Sequence, residues 1–306
     1  MVEKKTGTAY FQLHTAVFLF GFTGILGKLI SLEATMLVWH RLWMTSILMF
    51  VYVWFTGKWK RLPAKEVLKI VAISATITLH WVLFYASIKY TSVSVAMICL
   101  SSITFFTALL EPVILRKPLS AIQLVFSAFV ILGVYLMANG QQDQFNGIII
   151  GLASAFFSAL FTVLNKTILH NYDSRVLSLY EIMSGTVLLT LALPLINMYL
   201  PLEQLLPTAD DWIYLFLLSF FCTVVAFNLS LSSLRHLTPF TVNLAINLEP
   251  VYGILLAFVV FNEYELLGPG FYMGSACILL AVLGEIAWKA YKSKKNSRGG
   301  ATILPP

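Results

Sequence analysis

Charged residues are scarce in this chain, because Lys, Arg, Asp and Glu together make up 11% of its 306 residues. A soluble domain has about a quarter of its residues charged. The chain has only three cysteines, each inside an apolar run, so a disulfide framework is not expected. The sequence contains no glycine-rich phosphate loop, no His/Cys set with metal-ligand spacing and no nucleophile elbow. We therefore expect no cofactor, no metal, no direct use of ATP and no enzymatic activity.

Hydrophobic residues, by contrast, make up 59% of the chain and fall into runs separated by short polar segments. A membrane-spanning helix needs about 20 predominantly apolar residues. Ten runs meet this requirement, at approximately 10–30, 35–56, 67–88, 92–115, 119–138, 147–169, 176–199, 210–233, 239–261 and 268–289. The sequence therefore predicts an all-α membrane protein with ten transmembrane helices.

Lys and Arg are distributed unevenly between the predicted connecting loops. Alternate loops, together with both termini, carry nearly all of them, and the other set of loops carries Lys89 and several acidic residues. Cytoplasmic loops are enriched in Lys and Arg, so this asymmetry predicts that both termini are cytoplasmic. The net charge of +6 reflects membrane topology, and we expect no nucleic-acid partner.

The chain also contains an internal repeat. Residues 87–92 align with 233–238 at an offset of about 146, and residues 21–28 align with 159–166. Each half contains five predicted spans, and an odd number makes the second half enter the membrane from the opposite side. We therefore predict two inverted five-helix repeats, 1–140 and 141–290, followed by a disordered basic cytoplasmic tail, 291–306.

The order and spacing of several short motifs resemble the EamA-type branch of the drug/metabolite transporter superfamily. The motifs are Phe20-Gly21, Lys28, Arg41, Leu248-Glu249-Pro250-Val251 and Phe261-Asn262-Glu263. One departure concerns the end of the fourth span, where such proteins usually have an acidic residue and this chain has Lys117. The resemblance implies ten helices that surround a substrate cavity built from spans 1–4 and 6–9.

Ionisable residues within predicted spans are the first candidates for a functional site, because burying them in lipid is costly. Lys28 and Arg41 could attract an anionic substrate group; alternatively, Lys28 snorkels to the interface and pairs with Glu33. Glu249, directly before Pro250, could bind a substrate amine, carry a coupling proton or pair with a basic residue of another span.

The remaining candidates are polar or aromatic residues at membrane depth. Asn243 and Asn247 share a helix face with Pro250, whereas His80, Trp81, Tyr85 and Tyr252 either line a pocket or pack in the core. For coupling or gating, the candidates are Glu111, Lys166 and Glu181. Glu111 either pairs with Arg116 or Lys117 or lines the inner mouth. A Lys166/Glu181 pair opposite a Lys28/Arg41 pair would suit two alternating gates.

These observations predict a secondary transporter in the cytoplasmic membrane. Its expected partners are the lipid bilayer and a small-molecule substrate, with amino acids or related amphipathic compounds exported by alternating access. The chain is expected to act as a monomer or a homodimer. The alternative is a membrane-embedded enzyme or lipid-handling protein that acts at the outer interface, near Lys28 and Arg41.

Overall fold

The computed structural model describes residues 2–118, 121–139, 144–265 and 267–299, and all regular secondary structure in these residues is helical. The α-helices are α1 Val2–Phe20, α2 Thr23–Leu29, α3 Ala34–Phe55, α4 Ala64–Tyr90, α5 Val93–Leu100, α6 Ile103–Leu115, α7 Ala121–Asn139, α8 Phe145–Ile168, α9 Ser174–Tyr199, α10 Ala209–Ser219, α11 Ala226–Leu234, α12 Pro239–Ile246, α13 Glu249–Phe261 and α14 Pro269–Gly299. A π-helical segment, Phe220–Val225, joins α10 to α11. The all-α prediction is confirmed for the described residues.

Eight helical segments of the described chain are long and apolar enough to cross a membrane. They are Thr6–Leu29, Ala34–Phe55, Ala64–Tyr90, Val93–Leu115, Phe145–Ile168, Ser174–Tyr199, Ala209–Leu234 and Pro239–Phe261. They coincide with spans 1–4 and 6–9 of the sequence-based prediction. The predicted fifth and tenth spans correspond to α7 and α14, whose apolar stretches are shorter. The count of ten spans therefore remains a prediction.

Two spans are interrupted at equivalent positions in the two halves of the chain. The segment of α5 and α6 breaks at Ser101–Ser102, and the segment of α12 and α13 breaks at Asn247–Leu248, 146 residues later. Arg116 and Asn262, which end these spans, both have a left-handed backbone, with φ of 51° and 52°. Because left-handed φ is uncommon for residues other than glycine, its recurrence at the same offset supports the internal repeat.

The helices run alternately between two faces of the bundle. We call the face where α1 begins the near face; it also carries 56–63, 116–118, 169–173 and 235–238. The opposite face, the far face, carries 30–33, 91–92, 200–208 and 262–265. The two helices α7 and α14 pack together beside the other helices, and an added Cβ at Gly133 would lie 2.6 Å from the Gly274 carbonyl oxygen.

The last helix extends further than the sequence suggested. α14 runs to Gly299, so residues 291–299 are helical, although we expected a disordered tail over 291–306. Residues 300–306 lie outside the described residues. The domain boundary near residue 140 also falls on residues that the structure does not describe, 140–143.

Candidate functional site

A small cavity lies at the centre of the bundle, between the two halves of the chain. Its volume is about 70 Å³, which is room for a few water molecules. Both halves contribute side chains to its wall: Phe20, Thr23, Arg41, Ile77, His80, Trp81, Phe84, Tyr85, Leu100, Ser158, Phe161, Thr162, Phe227, Ser230, Leu231, Ile246 and Glu249. The wall is therefore mainly apolar and aromatic, and it includes the charged residues Arg41 and Glu249 together with His80.

Arg41 of α3 is the basic residue of the cavity, and only 1% of its surface is exposed. Its Nε donates to Thr223 Oγ1 at 2.9 Å, and its Nη1 donates to the Tyr85 hydroxyl at 3.0 Å. The guanidinium also lies over the Trp81 ring, 4.2 Å from the centroid. Neutral hydroxyls and an aromatic face hold the guanidinium in position without neutralising it, and it has no ion pair within the described residues.

The π-helical segment between α10 and α11 places Thr223 against Arg41. A π segment widens the helix and leaves local carbonyls without regular partners. The Thr223 hydroxyl donates to the Leu218 carbonyl at 2.9 Å while it accepts the hydrogen bond from Arg41. The second half of the chain thus orients a cation that belongs to the first half.

Glu249, the first residue of α13, is the acidic residue of the cavity and is also buried. Its Oε1 lies 3.1 Å from the Thr23 hydroxyl, but this hydroxyl is closer to the Phe20 carbonyl, at 2.7 Å. A hydroxyl has one hydrogen to donate, so Glu249 receives at most a shared hydrogen bond from Thr23. No salt bridge links Glu249 to Arg41 or to another described residue.

His80 and Ser154 join α4 to α8 behind the cavity wall. His80 Nδ1 lies 2.8 Å from the Ser154 hydroxyl and 3.0 Å from its carbonyl, and the same hydroxyl is 3.0 Å from the His80 carbonyl. This reciprocal pairing fixes the orientation of the imidazole. His80 is also one of the residues that line the cavity. Among the described residues, no three His, Cys, Asp or Glu side chains are grouped to hold a metal ion.

Aromatic rings form the apolar part of the wall. The Phe161 and Phe227 rings stack with centroids 5.5 Å apart, and the Trp81 ring lies 5.9 Å from that of Phe227. Phe84 continues this surface towards Tyr85, with centroids 5.3 Å apart. Such a surface suits an apolar or aromatic group of a ligand.

At the far face, Glu263 connects the two halves. Its carboxylate accepts hydrogen bonds from Lys28 Nζ at 2.7 Å, from Val93 N at 3.1 Å and from Ser94 N at 2.9 Å. It thereby caps the N-terminus of α5 and completes a salt bridge to α2. Burial alone would raise the pKa of the Glu263 carboxyl, but the hydrogen bonds from Lys28 and Ser94 and the Lys28 charge hold this pKa below its ordinary value.

Further contacts at the far face also cross between the halves. The Asp211 carboxylate accepts hydrogen bonds from the Ser31 amide at 2.7 Å and from the Ser31 hydroxyl at 2.6 Å. His40 Nε2 lies 2.9 Å from the Leu205 carbonyl oxygen. Lys28 forms its salt bridge with Glu263 and not with Glu33, the partner that we considered from the sequence.

At the near face, Glu111 has a capping position similar to that of Glu263. Its Oε2 accepts the Phe240 amide at 2.9 Å, at the start of α12, and its Oε1 accepts Lys117 Nζ at 2.7 Å. Glu111 thus pairs with Lys117, one of the partners considered from the sequence, and it also lines a near-face pocket of about 350 Å³. Among the described residues, fewer hydrogen bonds cross between the halves here than at the far face, and a vestibule of about 840 Å³ opens among α1, α3, α9 and α11.

Lys166 and Glu181, which the sequence analysis grouped as one of two gates, have no bond to each other in the described residues. Lys166 Nζ donates to the carbonyls of Leu234, Arg235 and Leu237, at 2.6, 3.2 and 2.7 Å, at the C-terminal end of α11. Glu181 lies within the bundle, with none of its surface exposed. Lys28 and Arg41 likewise belong to separate networks, the first at the far face and the second at the cavity.

The remaining site candidates lie beside the cavity, and the structure does not include them in its wall. Asn243 Nδ2 donates to Thr107 Oγ1 at 2.7 Å, and Asn247 Nδ2 donates to Thr104 Oγ1 at 2.9 Å. These two hydrogen bonds join α6 to α12 and to Asn247, the residue at which the span of α12 and α13 is interrupted. Tyr252 packs against Phe18, with ring centroids 5.8 Å apart. An added Cβ at Gly21, where α1 ends, would lie 2.7 Å from Tyr252 Cβ.

The structure thus brings together five of the proposed substrate-binding residues, namely Arg41, His80, Trp81, Tyr85 and Glu249. The sequence analysis missed Thr23 and Thr223, which support the two charged groups. A hydroxyl in an apolar run gives no signal of its own, and nothing in the sequence marks the π-helical segment.

Comparison with known proteins agrees with this architecture. The sequence matches the EamA-like transporter family twice, over residues 7–139 and again over residues 145–285. An uncharacterized transporter, YxxF, of Bacillus subtilis (strain 168) is 25% identical over 268 residues, which cover 83% of this chain and 82% of the relative. An uncharacterized transporter of Archaeoglobus fulgidus is 24% identical over 247 residues, covering 76% of this chain and 81% of the relative.

The fold is also similar to that of a solved structure described only as a crystal structure of a protein. That similarity has a TM-score of 0.67 and covers 90% of this chain and 96% of the other, at 12% sequence identity. The two-repeat helical fold around a central cavity is that of a multi-pass membrane protein of the transporter class. The chain belongs to the EamA-like transporter family.

Proposed function

We propose that this protein is a secondary transporter that exports small zwitterionic metabolites, amino acids or closely related amphipathic compounds, by alternating access. The observation that carries this proposal is the pair of opposite charges in one buried cavity. Arg41 and Glu249 both line the cavity, and neither forms a salt bridge with the other or with another described residue. A buried charge without a partner is costly, so a ligand with both charges would compensate the two groups together.

In this proposal, each end of a zwitterion has its own partner. The substrate carboxylate binds Arg41, whose planar donors match the two oxygens of a carboxylate. The substrate ammonium binds Glu249. The apolar side chain of the substrate packs against Trp81, Phe161 and Phe227. Since the cavity of about 70 Å³ holds only a few waters, we expect these rings to move apart when the substrate enters.

Alternating access is supported by the difference between the two faces. At the far face, Glu263 and Asp211 of the second half bind the first half at Lys28 and Ser31. At the near face, a vestibule of about 840 Å³ is lined by residues of α1, α3, α9 and α11. We propose that this conformation is open towards the near face, and that the inverted repeat allows an opposite conformation of similar energy.

We place the near face in the cytoplasm, and the protein in the cytoplasmic membrane with both termini cytoplasmic. The distribution of Lys and Arg supports this orientation. The conformation described here would then be the one that loads substrate from the cytoplasm. No observation favours the alternative of an enzyme at the far face, because Lys28 and Arg41, on which that alternative depends, belong to separate networks.

Ligand binding to the purified protein tests the charge arrangement directly. Phenylalanine serves as the probe, and two analogues remove one charge each: phenethylamine lacks the carboxylate and 3-phenylpropionate lacks the ammonium. We expect phenylalanine to raise the melting temperature and both analogues to be much weaker, because each leaves one buried charge unpaired. Equal stabilisation by all three compounds would contradict the zwitterion site.

Transport is tested by counterflow, in which labelled phenylalanine enters proteoliposomes that contain unlabelled phenylalanine. Leucine and alanine serve as second and third substrates, because the aromatic wall accepts any apolar side chain. We expect counterflow with the wild-type protein and its loss in Glu249→Gln and Arg41→Gln. Thr167→Val, a change at an exposed hydroxyl that bonds only the Leu164 carbonyl, is the matched control. No counterflow of any of the three amino acids by the wild type would overturn the proposal.

A further inference from the structure

A second acidic residue inside the bundle, Glu181, differs from the other buried carboxylates. It lies on α9, none of its surface is exposed, and neither carboxylate oxygen has a hydrogen-bond partner among the described residues. Glu263 and Glu111 each accept backbone hydrogen bonds, and Glu249 lies within hydrogen-bond distance of the Thr23 hydroxyl. The cavity described above does not include Glu181.

The surroundings of Glu181 are polar but neutral. The Asn165 side chain of α8 lies next to the carboxyl group but does not reach hydrogen-bond geometry with it, and Ser178 lies one turn earlier on α9. On the side of α4, Ser74 Oγ donates to the Glu181 carbonyl, and an added Cβ at Gly185 would lie 2.6 Å from Thr78 Oγ1. The side-chain polar atoms of Asn165, Ser178 and Thr78 are buried and also lack hydrogen-bond partners in the described part of the chain.

The charged and titratable groups on the neighbouring helices do not compensate Glu181. Arg41 on α3 is bonded to Thr223 and Tyr85, His80 on α4 to Ser154, and Lys166 on α8 to backbone carbonyls. The other such groups on α3, α4 and α9 are His40, Tyr52, Lys65, Glu66, Lys69, Tyr85, Lys89, Tyr90, Arg175, Tyr180 and Tyr199. None of these forms a salt bridge or a hydrogen bond with the Glu181 carboxylate in the described residues.

An ionised carboxylate in these surroundings would be strongly destabilising. Transfer of an isolated charge from water into a medium of low dielectric constant costs far more than any neutral hydrogen bond returns, so such a group binds a proton instead. A protonated carboxyl group is neutral, and its hydroxyl can donate to the Asn165 amide oxygen after a small rotation. The simplest ligand of Glu181 is therefore a proton.

We propose that Glu181 is the proton-carrying residue that couples transport to a pH gradient. This inference rests on the proposed function and specifies its driving ion. In the conformation described here, the carboxyl group holds one proton between α4, α8 and α9. When α9 moves away from α4 and α8, water reaches the carboxyl group, which releases its proton to water and remains as a carboxylate until it binds another proton.

The internal repeat explains how Glu181 can become accessible. The residues that precede α3 and α9, Glu33 and Asp173, are 140 residues apart, and so are Arg41 and Glu181. Arg41 lines the cavity in this conformation, whereas Glu181 is enclosed by helices. If the two halves exchange conformations in the transport cycle, Glu181 takes the cavity-facing position that Arg41 has here. One proton is then exchanged in each cycle.

A first experiment needs no substrate. Infrared spectroscopy of the purified wild-type protein should show the C=O stretch of a protonated carboxyl group at neutral pH, with slow exchange in D2O because the group is buried. Glu181→Gln should remove this component, and Glu111→Gln, which changes a carboxylate that is paired with Lys117, should leave it in place. An unchanged spectrum in Glu181→Gln would overturn the proposal.

A second experiment separates coupling from transport. A gradient of about one pH unit corresponds to about 1.4 kcal/mol per proton and supports about tenfold accumulation of substrate. Wild-type proteoliposomes should accumulate labelled phenylalanine under one of the two directions of this gradient. Glu181→Gln should keep counterflow and lose the accumulation, and Glu181→Asp should retain part of it.

The outcomes distinguish the two proposals. Absence of counterflow in the wild type contradicts the proposed function, and the infrared result still decides the protonation of Glu181. Counterflow without accumulation under either pH gradient contradicts the coupling proposal alone. Accumulation that follows a Na⁺ gradient, or that persists in Glu181→Gln under a pH gradient, also contradicts it.

Discussion

The two faces of the bundle have the same backbone geometry and different side-chain chemistry. Arg116 and Asn262 end equivalent spans with the same left-handed backbone, and an acidic residue caps the other half's broken span at each face. At the far face this residue is Glu263 itself, whereas its repeat equivalent at the near face, 146 residues earlier, is Lys117. Glu111, six residues before Lys117, supplies the carboxylate there.

The two halves of the repeat share a carboxylate cap at the start of each interrupted span. Ser94 and Phe240 are 146 residues apart, and each donates its backbone amide to a carboxylate of the other half. A helix N-terminus has unpaired amides and a partial positive charge wherever it is buried, so a carboxylate is needed at both faces. The sequence position of this carboxylate can differ between the two faces, because a carboxylate one or two helical turns away reaches the same backbone amides.

The faces also differ in how their cations are used. Lys28 of the first half pairs with Glu263 of the second half, and this pair joins the halves across the far face. Lys117 pairs with Glu111 within one half, and Lys166 binds backbone carbonyls within the other. The near face therefore has fewer bonds to break when the halves separate, which fits the vestibule found there.

The largest expected effect comes from breaking the far-face connection. Glu263→Gln removes the charge that pairs with Lys28 and weakens the cap of α5, and the loss of a hydrogen bond to a charged group costs about 1.5–3 kcal/mol for each bond. We expect a clear decrease of the melting temperature in detergent. Glu265→Gln, a change of an exposed carboxylate two residues away, is the control. Equal melting temperatures for the two variants would contradict the connection.

The next effect concerns the cavity between the two faces. Arg41→Gln should weaken phenylalanine binding by about a hundredfold, which corresponds to about 2.7 kcal/mol, because the substrate carboxylate loses its only cation. Arg41→Lys keeps the charge without the two-pronged donor geometry, so we expect an intermediate loss. Calorimetric titration measures both. Binding that is the same in Arg41→Gln and in the wild type would exclude Arg41 from the site.

A smaller effect is expected at the near-face crossing of α6 and α12. Thr107→Val keeps the shape of the side chain but removes the acceptor of the Asn243 amide, and an unsatisfied buried donor costs about 1–3 kcal/mol. At the equivalent far-face crossing, the contact is apolar: an added Cβ at Gly253 would lie 2.9 Å from Met97 Cε. Gly253→Ala should therefore lower the melting temperature less than Thr107→Val does, since the flexible Met97 side chain can move. The reverse order would contradict this comparison.

The smallest effect is the pH dependence of the far-face connection. The pKa of Glu263 is lowered in the folded protein, so its contribution to stability is complete above the ordinary Glu value, about 4.3. The contribution decreases as the pH falls through the lowered pKa of the folded state. The difference in melting temperature between the wild type and Glu263→Gln should thus be constant from neutral pH to about pH 5 and become smaller below pH 4. A difference that grows on acidification would show that the pKa is raised.

Part of the candidate site could be predicted from the sequence because charged residues are rare within apolar membrane spans. Arg41 and Glu249 stand out in apolar runs, and both line the cavity. His80, Trp81 and Tyr85 follow from their spacing on one span. Lys28 was also identified, but its partner is 235 residues away in the sequence. No local pattern contains that information.

The class of protein, the eight long apolar spans and the internal repeat follow from the order of the amino acids alone. Hydropathy and residue spacing can be read from the chain itself. An apolar helix is stable in lipid whatever helices lie next to it, because its backbone hydrogen bonds are satisfied within the helix. The packed structure, by contrast, shows which polar groups are in contact. It placed Lys166 and Glu181 in different surroundings, joined Lys28 to Glu263 and left the Glu181 carboxylate without a hydrogen-bond partner among the described residues, since contacts between helices depend on how the two halves pack together.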